Sequence, residues 1–245
     1  MSSFHLHDIQ RKTGKFVRKF GTHDDIDADV TSEAIWSYGD TAGDYVFPSD
    51  SGETMYISSS NALDTMPVTI QGLDENFQEK EQTVTLTGQT RITLDGKWSR
   101  INRAFNDDTN DIAGNVFIYT NGANTDGTPD TASTVKAIIE NGHNQTLQAI
   151  YSVPESNLFH LSSYHVSCDA QAPNTTANLT ITLVVRRKGS VFRTQEIIAV
   201  SNQAPSIVKF DMPLAIPGCS DVMFKVTSAT NNNMHVHCVF EGMLL

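Results

Sequence analysis

Two histidines near the carboxyl terminus have the spacing in this sequence that most resembles a metal site. His235 and His237 alternate along a predicted strand, so both imidazoles lie on the same face. His5 and His7 repeat that spacing near the amino terminus, and two such pairs meeting at a subunit contact would offer four nitrogens to Zn²⁺. The alternative is a solvated or interface pair on a strand whose other face is buried. We favour this alternative and predict no bound metal and no cofactor.

Clustered acidic residues provide the other possible metal ligands. The run from Asp25 to Asp29 places three aspartates like the first ligands of a calcium loop. However, Val30 stands where the sharp turn needs glycine, and Trp36 where the bidentate glutamate belongs. The segments 106–111 and 124–130 are also rich in Asn and Asp, but ordinary turn chemistry accounts for that composition.

Catalytic signatures are absent from the sequence. It contains no Gly-x-Ser-x-Gly elbow, no phosphate-binding Gly-rich loop, no His-Glu-x-x-His pair and no Cys-x-x-Cys. Glu140 and Glu196 are the nearest candidates for a pair of catalytic carboxylates, but an acid on a strand usually marks the solvent face. We therefore predict no catalytic residues and a protein that is not an enzyme.

Basic side chains concentrate in two places and are our candidates for contacting partner proteins. The first cluster holds five of the 17 basic residues within nine positions of the amino-terminal segment. The second marks the tip of a predicted hairpin, where arginines could form bidentate pairs with the carboxylates of a neighbour. The candidates are Arg11, Lys12, Lys15, Arg18 and Lys19 in the first cluster and Arg186, Arg187 and Lys188 in the second.

Charge and length exclude several classes of protein. The 245 residues carry a formal net charge of −11, which argues against nucleic-acid binding. Residues 1–20 carry +4 and the remaining 225 residues carry −15. No run approaches the ~18 apolar residues of a membrane span, and no secretory signal opens the chain, so we expect a soluble, unprocessed protein. We expect Cys168, Cys219 and Cys238 to be reduced, buried thiols.

The elements that must position these residues are predicted to be β-strands. Thr, Ser and Asn make up 64 of the 245 residues, a composition typical of half-exposed strands and turns. Apolar residues alternate with polar ones in about a dozen short segments, and no helix longer than two turns is indicated. We predict an all-β, antiparallel, jelly-roll-like sandwich. It divides into an extended N-terminal arm, 1–30, and a body, 31–245. The long turn near 121–130 could separate the body into two sub-halves. The arm is interpreted as a segment that orders against a partner, or alternatively as a disordered solubilising tail.

Several segments, in their order along the chain, resemble structural proteins of tailed bacteriophages, especially marine ones. They are Ile35–Pro48, Val68–Asp74, Gln82–Gly88, Ser99–Ala104, Gln145–Pro154 and Leu183–Arg193. The resemblance implies a non-enzymatic virion component with a β-sandwich body. It carries no catalytic residues over to this chain.

Three functions follow as competing hypotheses. The first is a capsid decoration or cement subunit, located in the virion after assembly in the host cytoplasm. It would bind the major capsid protein or other virion proteins through its arm and form a homo-oligomer, with a trimer favoured. The second is a tail or head-to-tail adaptor or fibre-base component. The third is a carbohydrate-binding module that stacks sugars on Trp36, Tyr38 and Tyr45.

Overall fold

A computed structural model describes residues 14–170 and 176–245 of the chain. Nearly all of its regular structure is β, and the helices are one turn each: α1 (Gly39–Ala42) and a 3-10 turn (Ala132–Thr134). No described helix is long and apolar enough to cross a membrane. The prediction of an all-β, antiparallel sandwich is confirmed.

The strands, in chain order, have the following bounds. The first half of the chain contains β1 (Lys15–Ile26), β2 (Glu33–Ala34), β3 (Tyr56–Ser59), β4 (Pro67–Leu73), β5 (Glu79–Thr85), β6 (Ile92–Thr93), β7 (Arg100–Asn106) and β8 (Val116–Tyr119). The second half contains β9 (Asn124–Thr125), β10 (Thr128–Pro129), β11 (Val135–Ile139), β12 (Ile150–Val153), β13 (Leu158–Ala170), β14 (Asn178–Arg187), β15 (Arg193–Ser201), β16 (Ser206–Pro217), β17 (Ser220–Ala229) and β18 (Met234–Leu244).

Eight of these strands form a jelly roll, which we call the outer unit. One sheet has the order β1-β18-β13-β16 and the facing sheet the order β12-β17-β14-β15, with every neighbouring pair antiparallel. Alternating side chains of both sheets fill the space between them, as in β18, where Val236, Cys238 and Phe240 are buried. The long connections between the two sheets give the exchange of strands that defines a jelly roll.

One strand of the jelly roll is built from two distant pieces of sequence. β2 and β12 pair with the same edge of β17 and run in the same direction, β2 opposite Lys225 and Val226 and β12 opposite Ser220 to Met223. Between them, the Ala149 N–H donates to the Ile35 carbonyl. Residues 36–148 therefore form an insertion that leaves the sheet and returns at almost the same point.

The insertion folds into a second, smaller β-structure, which we call the inserted unit. Its sheets have the orders β11-β8-β3-β6 and β5-β4-β7, and a separate apolar core that includes Met55, Ile70 and Trp98 lies between them. The predicted division near 121–130 does not coincide with the boundary between the units. That segment forms the short β9-β10 hairpin inside the inserted unit, because its Asn and Gly residues favour a tight turn.

The described part of the expected N-terminal arm lies in the body. β1 pairs with β18 from Lys15 to Ile26, and its Val17 and Ile26 side chains are buried in the jelly-roll core. The segment has too few apolar residues to form a core of its own, yet it needs only one apolar face when a neighbouring sheet supplies the rest. Residues 1–13 of the expected arm lie outside the described residues.

Candidate interaction surfaces

The first basic cluster is divided between different environments. Arg11 and Lys12 lie outside the described residues. Lys15 is exposed and its ammonium lies 3.0 Å from a Glu79 carboxylate oxygen, while Arg18 lies on the sheet surface and pairs with Glu241.

Lys19 differs from its neighbours in β1, because its residue is only 6% exposed. Its ammonium donates to the backbone carbonyl of Asn102 on β7, in the inserted unit. Burial, and secondarily the nearby Arg103, lower the pKa of Lys19 to about 7. Lys19 is therefore not the exposed surface cation that the sequence predicted.

The second basic cluster contacts this chain's own inserted unit. Arg186 and Lys188 lie 4.5 Å from the ring centroids of Phe47 and Phe77, respectively. The Gly189 N–H in the same hairpin donates to a carboxylate oxygen of Asp50 at 3.1 Å. This hairpin thus has an acidic neighbour within its own chain, and aromatic rings pack against it as well. Arg187 remains exposed.

A buried ion network joins the two units, with Asp221 of β17 at its centre. Arg100 of β7 donates to both Asp221 oxygens, from Nε at 2.7 Å and from Nη2 at 2.9 Å, and Arg186 donates to one of them at 2.8 Å. The Ser152 hydroxyl donates at 2.5 Å. Arg100 also donates to the Asp50 carboxylate, which holds the pKa of that group below its usual range despite partial burial. Both oxygens of the buried Asp221 carboxylate are hydrogen-bonded by groups of this chain. We call this contact region between the two units the joint.

An aromatic cluster covers the other part of the joint. Trp36 lies edge-on to Tyr38 and Tyr45, with ring centroids 5.8 and 5.0 Å away, and these rings pack between the two units. The Tyr45 hydroxyl donates to the Lys136 carbonyl at 2.9 Å, and burial raises the pKa of that phenol. Because all three rings are buried, they cannot stack on a sugar, and the carbohydrate-binding hypothesis that used them is wrong.

Glu140 follows β11 and lies in an acidic part of the joint. Burial, and then the charges of Asp24 and Asp40, raise its pKa from an ordinary value of 4.5 to about 7, although a hydrogen bond from Ser37 acts in the opposite direction. Glu196 lies far from it in the fold, on β15 at the outer edge of the jelly roll. The sequence pairing of the two glutamates is therefore not realised.

The histidine and cysteine candidates are placed on β13 and β18 and on the turn between β16 and β17. His237 is exposed and His235 half-buried on the same outer face of β18, whereas His5 and His7 lie outside the described residues. Within residues 14–170 and 176–245, no three His, Cys, Asp or Glu side chains form a group able to hold a metal ion.

The three cysteines are free thiols: Cys168 and Cys238 are buried, Cys219 is half-buried, and burial raises the pKa of Cys168 to about 11.

The edge of the jelly roll formed by β15 and β16, which we call the bare edge, exposes apolar side chains. Ile197 of β15 and Ile207 and Met212 of β16 are 70%, 64% and 79% exposed, respectively. Each of these strands pairs on one side only among the described residues. From Phe210 to Pro213, β16 bulges away from β13, and the bulge and proline interrupt the backbone edge that would otherwise promote uncontrolled strand addition.

A carboxylate beneath this edge is only partly satisfied. Glu196 of β15 points inward, in the same direction as Ile198 and Val200, and it takes part in a hydrogen bond with the hydroxyl of Tyr164. Its Oε2 is buried and has no hydrogen-bond partner among the described residues. A buried acceptor without a donor costs free energy, so a donor supplied from outside this edge would stabilise the site.

The sequence patterns predicted neither the ion network nor the bare edge. Asp221 alternates with Val222 and Phe224, so its position indicated the solvent face of a half-buried strand. The inserted unit covers that face instead. The one available signal was Met223 between Asp221 and Lys225, an apolar residue on a face that was interpreted as solvated.

Comparison with known proteins gives little similarity. No protein-family model matches the sequence, and no curated protein matches it. A structure of the infectious bursal disease virus Gt strain aligns with a TM-score of 0.26 and 9% identity over 95% of this chain and 72% of the other. The VP2 subviral particle of infectious bursal disease virus gives a TM-score of 0.22 and 9% identity, covering 96% and 73% of the two chains. At TM-scores this low, no conclusion about function follows.

Proposed function

We propose that this chain is a non-enzymatic structural subunit of a virion, one that assembles through the bare edge of its jelly roll. The observation that carries the proposal is the contrast between the two edges of the outer unit. The inserted unit packs beside the β1 and β12 edge, where Phe16 of β1 is 58% exposed. At the other edge, β15 and β16 together leave three large apolar side chains at least 64% exposed. Exposed apolar surface on an otherwise well-packed protein marks a site of protein–protein contact.

The fold supports the same class of function. Jelly rolls are frequent in viral capsid proteins, although they also occur in lectins and cupins, so this support is an analogy at the level of the fold. The rigid joint between the units suits a subunit that must keep one shape in a repeating lattice. In such a lattice each weak contact is repeated many times, and modest apolar patches give strong total binding.

Within the virion, we propose a head-associated decoration or cement subunit that binds the major capsid protein and forms a homo-oligomer, with a trimer favoured. The segments that resemble structural proteins of tailed bacteriophages support a virion subunit, and the open bare edge fits a subunit that packs against a capsid lattice. A tail or head-to-tail adaptor is the second candidate, since the same segments are compatible with either location.

Quantitative mass spectrometry of purified virions tests the proposal. We expect peptides of this chain at hundreds of copies per particle, in a fixed ratio to the major capsid protein. A handful of copies would favour the tail, and absence from particles that contain all other structural proteins would overturn the virion assignment.

The contribution of the N-terminal segment needs a truncation that respects the fold. Deleting residues 1–30 would remove β1 and expose the jelly-roll core, so loss of binding would be uninformative. Deleting residues 1–13 removes Arg11 and Lys12 and leaves β1 intact. If these residues anchor the subunit, the shorter protein will show reduced occupancy on particles that lack it. Unchanged occupancy would contradict an anchoring role.

A further inference from the structure

A cleft with a volume of about 530 Å³ lies between β1 and the inserted unit. One wall is the run of β1 from Lys15 to Phe20, and the opposite wall is formed by parts of β4, β5, β7 and β12. The Lys15–Glu79 ion pair bridges the two units at one end, and the Lys19–Asn102 hydrogen bond bridges them at the other. The four residue steps between these bridges correspond to about 13 Å of extended chain.

The β1 wall of this cleft is an unpaired strand edge. β1 pairs with β18 on one side, and among the described residues no strand pairs with its other side. The cleft therefore faces the outward-pointing backbone N–H and C=O groups of alternate residues in the run 15–20. An extended peptide can bind such an edge as an additional strand, with the backbone hydrogen bonds supplying affinity.

The charges around the cleft are unbalanced. Its lining includes five basic side chains and two acidic ones, Glu79 and Glu81, in a protein whose net charge is −11. Glu79 is paired with Lys15, and Arg18 with Glu241. Glu81 accepts a hydrogen bond from Gln71. The three remaining cations therefore supply the excess of positive charge in the cleft.

Three of the cations have only neutral hydrogen-bond partners among the described residues. Lys80 donates to backbone carbonyls, and Arg103 donates to the side-chain oxygen of Gln145 at 3.1 Å. The ammonium of Lys19 donates to the Asn102 carbonyl and has no carboxylate within ion-pair distance among the described residues. Burial of Lys19 disfavours its protonated form and lowers its pKa to about 7, and an acidic side chain entering the cleft would stabilise the ammonium.

We propose that this cleft binds an extended acidic segment of a partner protein as a strand added to β1, with a carboxylate of that segment next to Lys19 and Arg103. The site is separate from the bare edge and independent of the virion assignment, because it depends on the backbone edge and the charges alone. A peptide with alternating acidic and β-branched residues fits both features, since alternate side chains of a strand point to the same side.

Fluorescence anisotropy with the full-length protein tests the proposal. The probe is a labelled seven-residue peptide that alternates Glu with Val and Thr, and its matched controls replace every Glu by Gln or methylate alternate backbone nitrogens. We expect the Glu peptide to bind at least about tenfold more tightly than either control at low ionic strength. Equal binding of the Gln peptide would overturn the role of charge, and equal binding of the methylated peptide would overturn strand addition.

Two variants assign the site. Lys19→Met removes a buried charge without leaving a large cavity, so it should fold, as a thermal unfolding curve will show. It should weaken binding of the Glu peptide by about tenfold, whereas Lys209→Met, an exposed lysine on β16, should not. Retained affinity in the folded Lys19→Met variant would place the binding elsewhere. Displacement of the Glu peptide by millimolar inorganic phosphate, with no slowing of β1 amide exchange in the complex, would indicate a small-anion pocket and contradict the proposal.

Discussion

Two carboxylates in the outer unit, one buried and one half-buried, have opposite surroundings. Asp221 lies where the inserted unit covers the jelly roll, and its two oxygens accept four hydrogen bonds, from Arg100, Arg186 and Ser152. Glu196 lies beneath the bare edge, and its Oε2 has no partner among the described residues. The same sandwich thus has one side that is completed within the chain and another that is not.

The difference indicates where each region obtains its stability. At the joint, residues from both units satisfy each other, so the arrangement does not depend on other molecules. At the bare edge, apolar side chains are exposed to solvent, and Glu196 Oε2 has no hydrogen-bond partner among the described residues. Association with another subunit would bury the apolar surface and could supply a donor. A structural subunit needs this combination, a fixed shape on one side and an open surface on the other.

The largest expected effect comes from breaking the joint. Asp221→Ala leaves the buried guanidinium of Arg100 without its principal partner, and we expect a loss of about 3–5 kcal/mol in the free energy of unfolding. Urea denaturation monitored by circular dichroism measures this loss. The matched control is Asp211→Ala on the bare edge, an exposed position where the change should stay within about 0.5 kcal/mol. Similar losses in the two variants would contradict the contrast between the regions.

Glu140 makes the stability of the joint depend on pH. Because its pKa is raised to about 7 in the folded protein from an ordinary 4.5, its protonated form favours folding. That contribution is fully present below pH 4.5 and is lost as pH rises through about 7. Glu140→Gln should therefore unfold like the parent protein near pH 4.5 and be more stable at pH 8, by roughly 1–2 kcal/mol after discounting for partial exposure.

Unfolding midpoints measured from pH 4.5 to pH 8 test the role of Glu140. Glu75→Gln, an exposed carboxylate, serves as the control and should keep the parent's pH profile. A Glu140→Gln profile parallel to that of the parent would show that this carboxylate titrates normally.

A smaller effect is expected from the aromatic part of the joint. Tyr45→Phe removes the hydroxyl that donates to the Lys136 carbonyl and leaves the ring packing unchanged. The expected loss is about 1 kcal/mol, the net contribution of one buried hydrogen bond. Chemical denaturation can resolve this difference, and a loss as large as that of Asp221→Ala would mean that the aromatic cluster, rather than the ion network, dominates the joint.

The smallest effect on stability is expected at the bare edge, where association should change instead. Replacing Ile197 and Met212 together by lysine alters two exposed side chains, so unfolding should shift by less than about 0.5 kcal/mol. Multi-angle light scattering should show the parent protein associating with concentration and the double variant remaining at the 26.9 kDa of one chain. An unaltered association would place the homo-oligomer interface elsewhere.

Much of the fold could be predicted because strand periodicity is local. The alternation in β14 and β17 correctly indicated strands with one face in a core, since Leu179, Ile181 and Phe224 all lie in the jelly-roll interior. β1 was assigned to an arm because its apolar residues are sparse and its charge is high. Its place in the sheet depends on β18, which follows more than 200 residues later, and no local pattern reports such a pairing.

The surfaces could be predicted less well, because burial of a polar face depends on which other element covers it. Arg186 was predicted to pair with a carboxylate of a neighbouring protein, whereas the partners it has in the structure lie in β17 and the inserted unit of the same chain. Lys19 was counted as a surface charge because it belongs to a cluster of five basic residues in a segment interpreted as an arm. Neither composition nor linker length indicates that one strand is split into β2 and β12. This split creates both the joint and the cleft.

Hydrogen–deuterium exchange provides the most direct test of the bare edge as the assembly surface. The measurement compares the free chain with the same chain in purified particles, peptide by peptide. Our account predicts that exchange slows over residues 193–217, which contain β15 and β16, and stays unchanged in β7 and β17 at the joint. Unchanged exchange over residues 193–217 in a chain shown to be bound to the particle would contradict it.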